Sequence, residues 1–442
     1  MKISIHNLLL IILLLVIYYS GLTFFFYNYA LNFFVSEPKL TIIRFLIGLL
    51  ISLLGLGLFN FGRKNKANLS TLFYVFQLSI VVIPGTIFVS LQIEFTFWIC
   101  FFILISLYGL KYLTSLNMAI LNYYAKRKTI KRNIKLVLIA PLVIWVSVCF
   151  IIVMQLFFKQ NIAFNNILTI DDMNGFRTVV FNKYKTIEFI SIYVLAYFLI
   201  PILLLYSTWN RKIIFTIIVL TINFILFLLT GVKTYFFMPF FTIFIFFLLK
   251  EKTEYTIFKN LILSIILILA FGYLIGIYFD TNIPNALFLR SVFEPSRIHI
   301  IWIDFFYDKF KDNFWVLNPP GFVSYGGLVR SEIIASNLGG SVGNGEGANA
   351  GFVASSFATY GFFGLFIHIF ILSLIMAVLN FVYKHSNHKW IAGSAIPCMF
   401  LLTNISFVGA VFYYGLMFST VSSICLGAFI KDYRKNAINC TL

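Results

Sequence analysis

The sequence predicts an all-α polytopic integral membrane protein, and three observations carry that prediction. The 442-residue chain is 61% hydrophobic and 11% charged, more apolar surface than a water-soluble fold can hide. Apolar runs of about 20 residues, the length that crosses a hydrocarbon core, recur along almost the whole chain. Its basic residues gather on alternate sides of those runs.

The runs predict about twelve membrane-spanning helices, at 8–30, 40–60, 69–91, 96–118, 136–158, 186–208, 213–231, 234–249, 259–279, 352–382, 391–409 and 411–430. The first resembles a secretory apolar region, but it is longer and lacks a small-residue cleavage site, so it reads as a retained anchor. Arg44 lies a few residues inside the second span, as either a functional or a snorkelling cation. Lys111 falls in the fourth and could instead close that span early. The stretch 391–430 admits more than one division. Linearly, 1–279 holds nine spans, 280–350 a large outer loop, and 351–442 the last three spans and a short tail.

Charge sets the expected orientation. With Lys2, the short segments 63–66, 126–135, 210–212, 250–259, 383–389 and 431–435 hold 20 of the 33 Lys and Arg. They hold only three of the 15 acids, Glu251, Glu254 and Asp432. The positive-inside rule places those segments and both termini in the cytoplasm. The net charge of +18 is then mostly a topology signal with an attraction to anionic membrane lipids. A nucleic-acid partner is not expected, because the cations sit in short loops and on no single face. None of the five cysteines falls in an outer loop, so neither a disulfide framework nor a cysteine metal site is expected.

Two outer segments exceed hairpin length: Lys159–Lys185, with Asp171, Asp172 and Arg177 as a surface cluster, and Asp280 to about Ala350. Long ordered loops are usually functional. In the second, Pro295 suits the first turn of a helix, "PSRIHIIWIDFFYDKFKDNFW". Arg297, Asp304, Asp308 and Lys311 would share one stripe, and Ile298, Trp302, Phe305 and Phe306 the opposing one. That pattern predicts an amphipathic helix lying in the membrane interface. His299 falls about 200° round from Arg297, at the apolar edge. Nine glycines follow from Gly321 to Gly351. "GNGEGANAG" lacks the Gly-Lys-Ser/Thr ending of a nucleotide loop. It reads either as a flexible connector or as a flap over a substrate groove carrying Arg330, Glu332 and Glu346. Arg290 and Arg297 are the expected phosphate ligands, since guanidinium forks bind phosphate bidentately. His299 is either a base or a packed residue. Lys233, at an outer turn, either snorkels or serves the site.

Local motifs add a resemblance. "TGVKT" (Thr230–Thr234) is similar to a glycine–basic–hydroxyl turn, and "GANAGFVASSFATYGFFGLF" (Gly347–Phe366) leads from small residues and Asn349 into an aromatic-glycine helix start. Together with the expected topology they resemble the Wzy-type O-antigen polymerases, the oligosaccharide repeat-unit polymerases of bacterial surface polysaccharides. Lys233 stands where many of that family carry arginine.

The resemblance implies a glycosyltransferase of the bacterial inner (cytoplasmic) membrane, acting on its periplasmic face. A growing glycan would pass from undecaprenyl diphosphate to the non-reducing end of a new lipid-linked repeat unit, as in lipopolysaccharide biosynthesis. Arg290, Arg297 and Lys233 would hold the leaving diphosphate. His299, Glu332 and Asp280, in that order, are the candidate bases for the acceptor hydroxyl. Arg330, Glu346 and Asn349 would line the substrate loop. No cofactor or metal is expected, and a chain-length regulator is a possible partner. The alternatives are a lipid-linked oligosaccharide flippase, which should carry polar residues into its span centres, an O-antigen ligase, and a non-catalytic scaffold.

Overall fold

The computed structural model describes residues 5–29, 39–59, 66–127, 186–230, 232–250, 252–279, 292–311, 350–386, 388–412 and 414–427. It is about 88% helical and has no strand among the described residues. In chain order the helices are α1 (Ile5–Tyr29), α2 (Ile42–Leu54), α3 (Leu69–Phe76), α4 (Ile83–Leu91), α5 (Trp98–Arg127), α6 (Thr186–Val194), α7 (Ile200–Trp209) and α8 (Ile213–Thr230). There follow α9 (Lys233–Leu249), α10 (Glu254–Phe279), α11 (Glu294–Lys311), α12 (Phe352–His385), α13 (Lys389–Gly393), α14 (Ile396–Leu401), α15 (Phe407–Phe412) and α16 (Leu416–Gly427).

Six stretches among the described residues are long and apolar enough to cross a membrane: Asn7–Tyr27, Leu69–Leu91, Trp98–Ala125, Ile190–Trp209, Glu254–Ile275 and Gly361–His385. Shorter apolar helices accompany them at Ile42–Leu58, Ile213–Leu228, Thr234–Leu249 and Lys389–Leu401. The chain is an all-α membrane protein. The span expected at 136–158 and the outer segment 159–185 lie outside the described residues.

Two of the spans expected to run unbroken, 69–91 and 186–208, each contain a π-helical turn, at Gln77–Val82 and Leu195–Leu199. Both precede a proline near the start of the next helix, Pro84 and Pro201. Proline has no N–H to give and its ring crowds the carbonyl four residues back, so the helix widens just ahead of it. At the first turn the Ile83 N–H reaches Leu78 O, five residues back. The Tyr18 hydroxyl donates to Ser79 O at 2.8 Å, supplying a partner that the widened ladder would otherwise lack.

The chain forms two compact units, each built from early and late segments. The first comprises Met1–Thr114, Glu251–Ser373 and Phe400–Phe407. At its centre lies Leu69–Leu91, which is buried throughout. Its hydroxyls bond back along the helix, Ser79 Oγ to Val75 O and Ser90 Oγ to Thr86 O, both at 2.7 Å, so they enter an apolar core without an orphaned donor. α2 packs closely on α4 because Gly48 has no side chain. A Cβ there would strike the Tyr19 hydroxyl and come 2.6 Å from Ser90 Oγ.

Both cations noted inside spans are structural ties. Arg44 Nη2 donates to the carbonyls of Val89, Gln92 (2.9 Å) and Phe95 (2.8 Å). It thereby caps the end of α4 and the turn beyond, where carbonyls lack helical donors and the helix dipole favours a cation. Lys111 Nζ donates to Gly57 O at 3.0 Å, at the short 3-10 turn Gly55–Leu58 that ends α2.

The second unit comprises Ser115–Lys250, Leu374–Met399 and Val408–Leu442. Its distinctive feature is a knot of tyrosines around the second π-turn. Tyr197 lies 5.4 Å from Tyr235 and 5.2 Å from Tyr414, and Tyr193 lies 4.7 Å from Tyr414, between ring centroids. Gly415, with φ +97°, leaves room for Phe198, whose Cβ would be 2.7 Å from an added methyl. The expected spans 391–409 and 411–430 are broken into the short helices α13 to α16, with Gly393 ending α13 and Gly415 in the turn just before α16.

Candidate functional site

Helix α11 positions the site. Contrary to the expectation of an amphipathic helix resting on the membrane interface, it packs against the π-turn and α4 of the central span. Side chains on every face of its first three turns are buried: Ser296, Ile298, His299, Ile300, Ile301, Trp302, Ile303 and then Phe306. The physical reason lies in "IHIIWI", which is apolar around the full circumference, and such a helix seeks a protein interior. Gly85 of α4 faces it, with Ile300 Cδ1 3.6 Å and Ser296 Cβ 3.9 Å from the place a Cβ would take, ordinary contact distances that an alanine would also keep. Phe293 packs tilted against Phe26, with ring centroids 4.2 Å apart, and edge-on to Phe88 at 5.8 Å.

Arg297 is 8% exposed and pairs with Glu294 one turn earlier, at 3.6 Å. Burial pulls its pKa down while the carboxylate works to hold it up, so it remains a cation at any physiological pH. On another face, His299 is fully buried. Its Nδ1 lies 2.7 Å from Pro295 O. A carbonyl can only accept, so Nδ1 carries the proton and Nε2 presents a lone pair. That Nε2 has no hydrogen-bond partner. Burial pushes the imidazole pKa down to about 4, keeping the ring neutral and its lone pair available.

The last glycine of the glycine-rich segment lies directly against this ring. A Cβ on Gly351 would strike His299 Cε1 and lie 2.5 Å from Thr403 O and 2.6 Å from Leu402 O. The next residue is tied to the same turn, with Phe352 N–H donating to Leu402 O at 2.9 Å. Helix α12 then breaks at Gly361, whose φ of +60° lies in the left-handed region. Ser356 Oγ and His368 Nδ1, 2.7 Å apart across the break, would be about 18 Å apart along a straight helix. The segment expected as one span, 352–382, is therefore a short buried arm followed by the membrane-length helix Gly361–His385.

Of the residues expected at the site, His299 and Arg297 are on α11, with the glycine terminus beside His299. Lys233 begins α9 in the other unit; its side chain, together with Asp280, Arg290, Arg330, Glu332, Glu346 and Asn349, lies outside the described residues. Sequence reasoning missed Gly351 as a packing residue, the 402–403 carbonyls and the Ser356–His368 tie. It also missed Gln77, fully buried in the first π-turn with neither amide atom hydrogen-bonded. The "Gln-x6-Pro" spacing that places this amide in a widened turn was the available signal. No family model, curated protein or solved structure matches the chain.

The buried imidazole has a pH signature. Above about pH 6.5 it is neutral in both folded and unfolded chains and contributes no pH dependence. As pH falls from 6.5 toward 4, the unfolded chain takes the proton first, so stability drops by about 3 kcal/mol in total and then levels off. Unfolding of detergent-solubilised protein between pH 7 and 4 should show at least this loss, and His299→Gln should reduce it by His299's share. Equal pH slopes in the two proteins would contradict the assignment.

Proposed function

We propose that the chain polymerises lipid-linked oligosaccharide repeat units at the periplasmic face of the bacterial inner membrane. The reading takes about twelve spans and both termini in the cytoplasm. A hydroxyl at the non-reducing end of the incoming repeat unit attacks the anomeric carbon of the growing glycan. The new glycosidic bond forms as the bond to undecaprenyl diphosphate breaks. The lipid diphosphate leaves with the bonding electrons, and the hydroxyl proton passes to a base.

The observation that carries this reading is the His299–Gly351 contact. It joins a neutral, tautomer-fixed imidazole lone pair to the end of the glycine-rich segment, on the same helix as a buried arginine. Nε2 is the acceptor for the hydroxyl proton in this scheme, with Glu332 and Asp280 as the other candidates. Arg297, with Arg290, takes the charge that develops on the diphosphate, an electrostatic contribution that is often the largest one in catalysis. Glu294 holds the Arg297 guanidinium in place. Undecaprenyl-linked substrate is the partner, with a chain-length regulator acting alongside.

A second reading, a lipid-linked oligosaccharide flippase, is favoured by Gln77 alone, because an amide without partners at mid-span is what a polar cargo pathway would need. One gel separates the two. Surface glycan from cells lacking the gene should collapse from a ladder to core plus a single repeat unit, and complementation should restore the ladder. Loss of every repeat would point to flipping or to an O-antigen ligase, and accumulated lipid-linked polymer would single out the ligase. In the complemented strain, Arg297→Lys and Arg290→Lys should each shorten the ladder at unchanged membrane abundance, since lysine keeps the charge and loses the fork. A full ladder from both would remove them from the diphosphate site.

A further inference from the structure

We propose that the second unit carries a binding site for an anionic glycerophospholipid, built from three chain turns and independent of the catalytic reading. It rests only on the chain being a membrane protein. The turn between α7 and α8, the end of α9 and the turn between α12 and α13 meet through their aromatic rings. Tyr206 lies 5.1 Å from Trp390, Trp209 lies 5.8 Å from Phe246, and Phe246 lies 6.3 Å from Tyr383.

Each turn lays one lysine over one of these rings. Lys212 Nζ is 5.0 Å from the Tyr206 centroid, Lys250 Nζ 4.8 Å from that of Trp209, and Lys389 Nζ 5.7 Å from that of Tyr383. Lys212 also donates to the Tyr206 hydroxyl at 3.0 Å. None of the three lysines has a carboxylate partner among the described residues. Exposed Arg211 and Lys384 add to the positive charge. Arg211 holds a left-handed backbone, φ 54°, a strained position for a residue with a long side chain.

What makes the patch a lipid site, rather than a cationic surface for any anion, is its apolar border. Ile213 and Ile214 follow Lys212 and are 74% and 77% exposed, and Phe244 and Phe247 lie just before Lys250 with their rings exposed. Acyl chains would lie along these side chains while the phosphate sits among the three ammonium groups. The rings below orient the ammoniums, and their cation–π contacts leave N–H donors pointing away for phosphate oxygens.

The test uses the purified full-length protein in nanodiscs, comparing phosphatidylcholine alone with a phosphatidylcholine–phosphatidylglycerol mixture. Native mass spectrometry after release should show phosphatidylglycerol retained over phosphatidylcholine, and the thermal midpoint should rise in the mixed discs. In the triple variant Lys212→Gln/Lys250→Gln/Lys389→Gln, retention should fall roughly tenfold or more. The corresponding triple arginine variant should keep it. If the glutamine triple does not fold, the three single glutamine variants replace it, and each should lose part of the preference. Glycerol phosphate added to phosphatidylcholine discs should not raise the midpoint, and if it did as well as the lipid, the site would be one for soluble phosphate. Undiminished preference in the glutamine variants, or none in the native protein, overturns the proposal.

Discussion

Gly351→Ala is expected to destabilise the protein by about 3 kcal/mol and to abolish its activity. The added methyl would meet three obstacles at once: the His299 ring and the carbonyls of Thr403 and Leu402. None can give way cheaply. The ring is held by Nδ1 on Pro295 O, and the 400–404 turn is closed by Thr403 N–H to Phe400 O and Asn404 N–H to Leu401 O. Leu402 O is itself the acceptor for Phe352 N–H. Two of the obstacles are backbone atoms, so relief requires moving a turn and not merely a rotamer. Gly109→Ala is the matched control. A Cβ there meets nothing within 4 Å, and it sits within the helix α5, where alanine is the better residue by about 1 kcal/mol. Unfolding of both variants in the same detergent decides the matter. Equal stability of the two would mean that the glycine-rich segment does not end against His299.

Arg44→Met should cost about 3 kcal/mol, although the position lies far along the chain from every expected catalytic residue. Methionine keeps most of the stem's packing but removes the donor shared by Val89, Gln92 and Phe95 carbonyls. Hydrogen bonds to a charged donor are worth more than neutral ones, and an acceptor stripped of its partner away from water bears the full desolvation penalty. Ser90 Oγ, 3.1 Å from Arg44 O and sharing its one proton between that carbonyl and Thr86 O, would remain as a weaker tie between α2 and α4. Arg44→Lys should fall between, since the ammonium keeps the charge but its stem ends short of the place that Nη2 holds. A methionine variant within about 0.5 kcal/mol of the native protein would show that the cation merely reaches the headgroups, as an ordinary snorkelling residue does.

The membrane class and most helix positions were legible because length and hydropathy are local properties. Leu69–Leu91 and Thr234–Leu249 appear where the apolar runs place them. Breaks within runs were harder to read. Pro84 and Pro201 widen their helices while the hydropathy stays high, and Gly361 turns a run that looks continuous. At the site, the residue types were legible but their environment was not. His299 stood out as a histidine beside an arginine in an outer segment. The apolar circumference of "IHIIWI" was outweighed in that reading by the charges at 304, 308 and 311, which suggested a polar face.

By itself the sequence determined the solvent of this protein and its secondary structure. A chain with this apolar content must satisfy its backbone internally, and helices are how a chain of this periodicity does so. Only the tertiary structure decided which polar groups are ties and which are left open. Arg44 read as either a functional or a snorkelling cation and Lys111 as a charge that could close its span early, yet they are bound to carbonyls 45 and 54 residues away, respectively. Gln77 had no such prominence, yet both its amide atoms, like His299 Nε2, have no hydrogen-bond partner. The difference arises because hydrogen-bond satisfaction depends on atoms brought together from distant segments, whereas helix formation depends on neighbours a few residues apart.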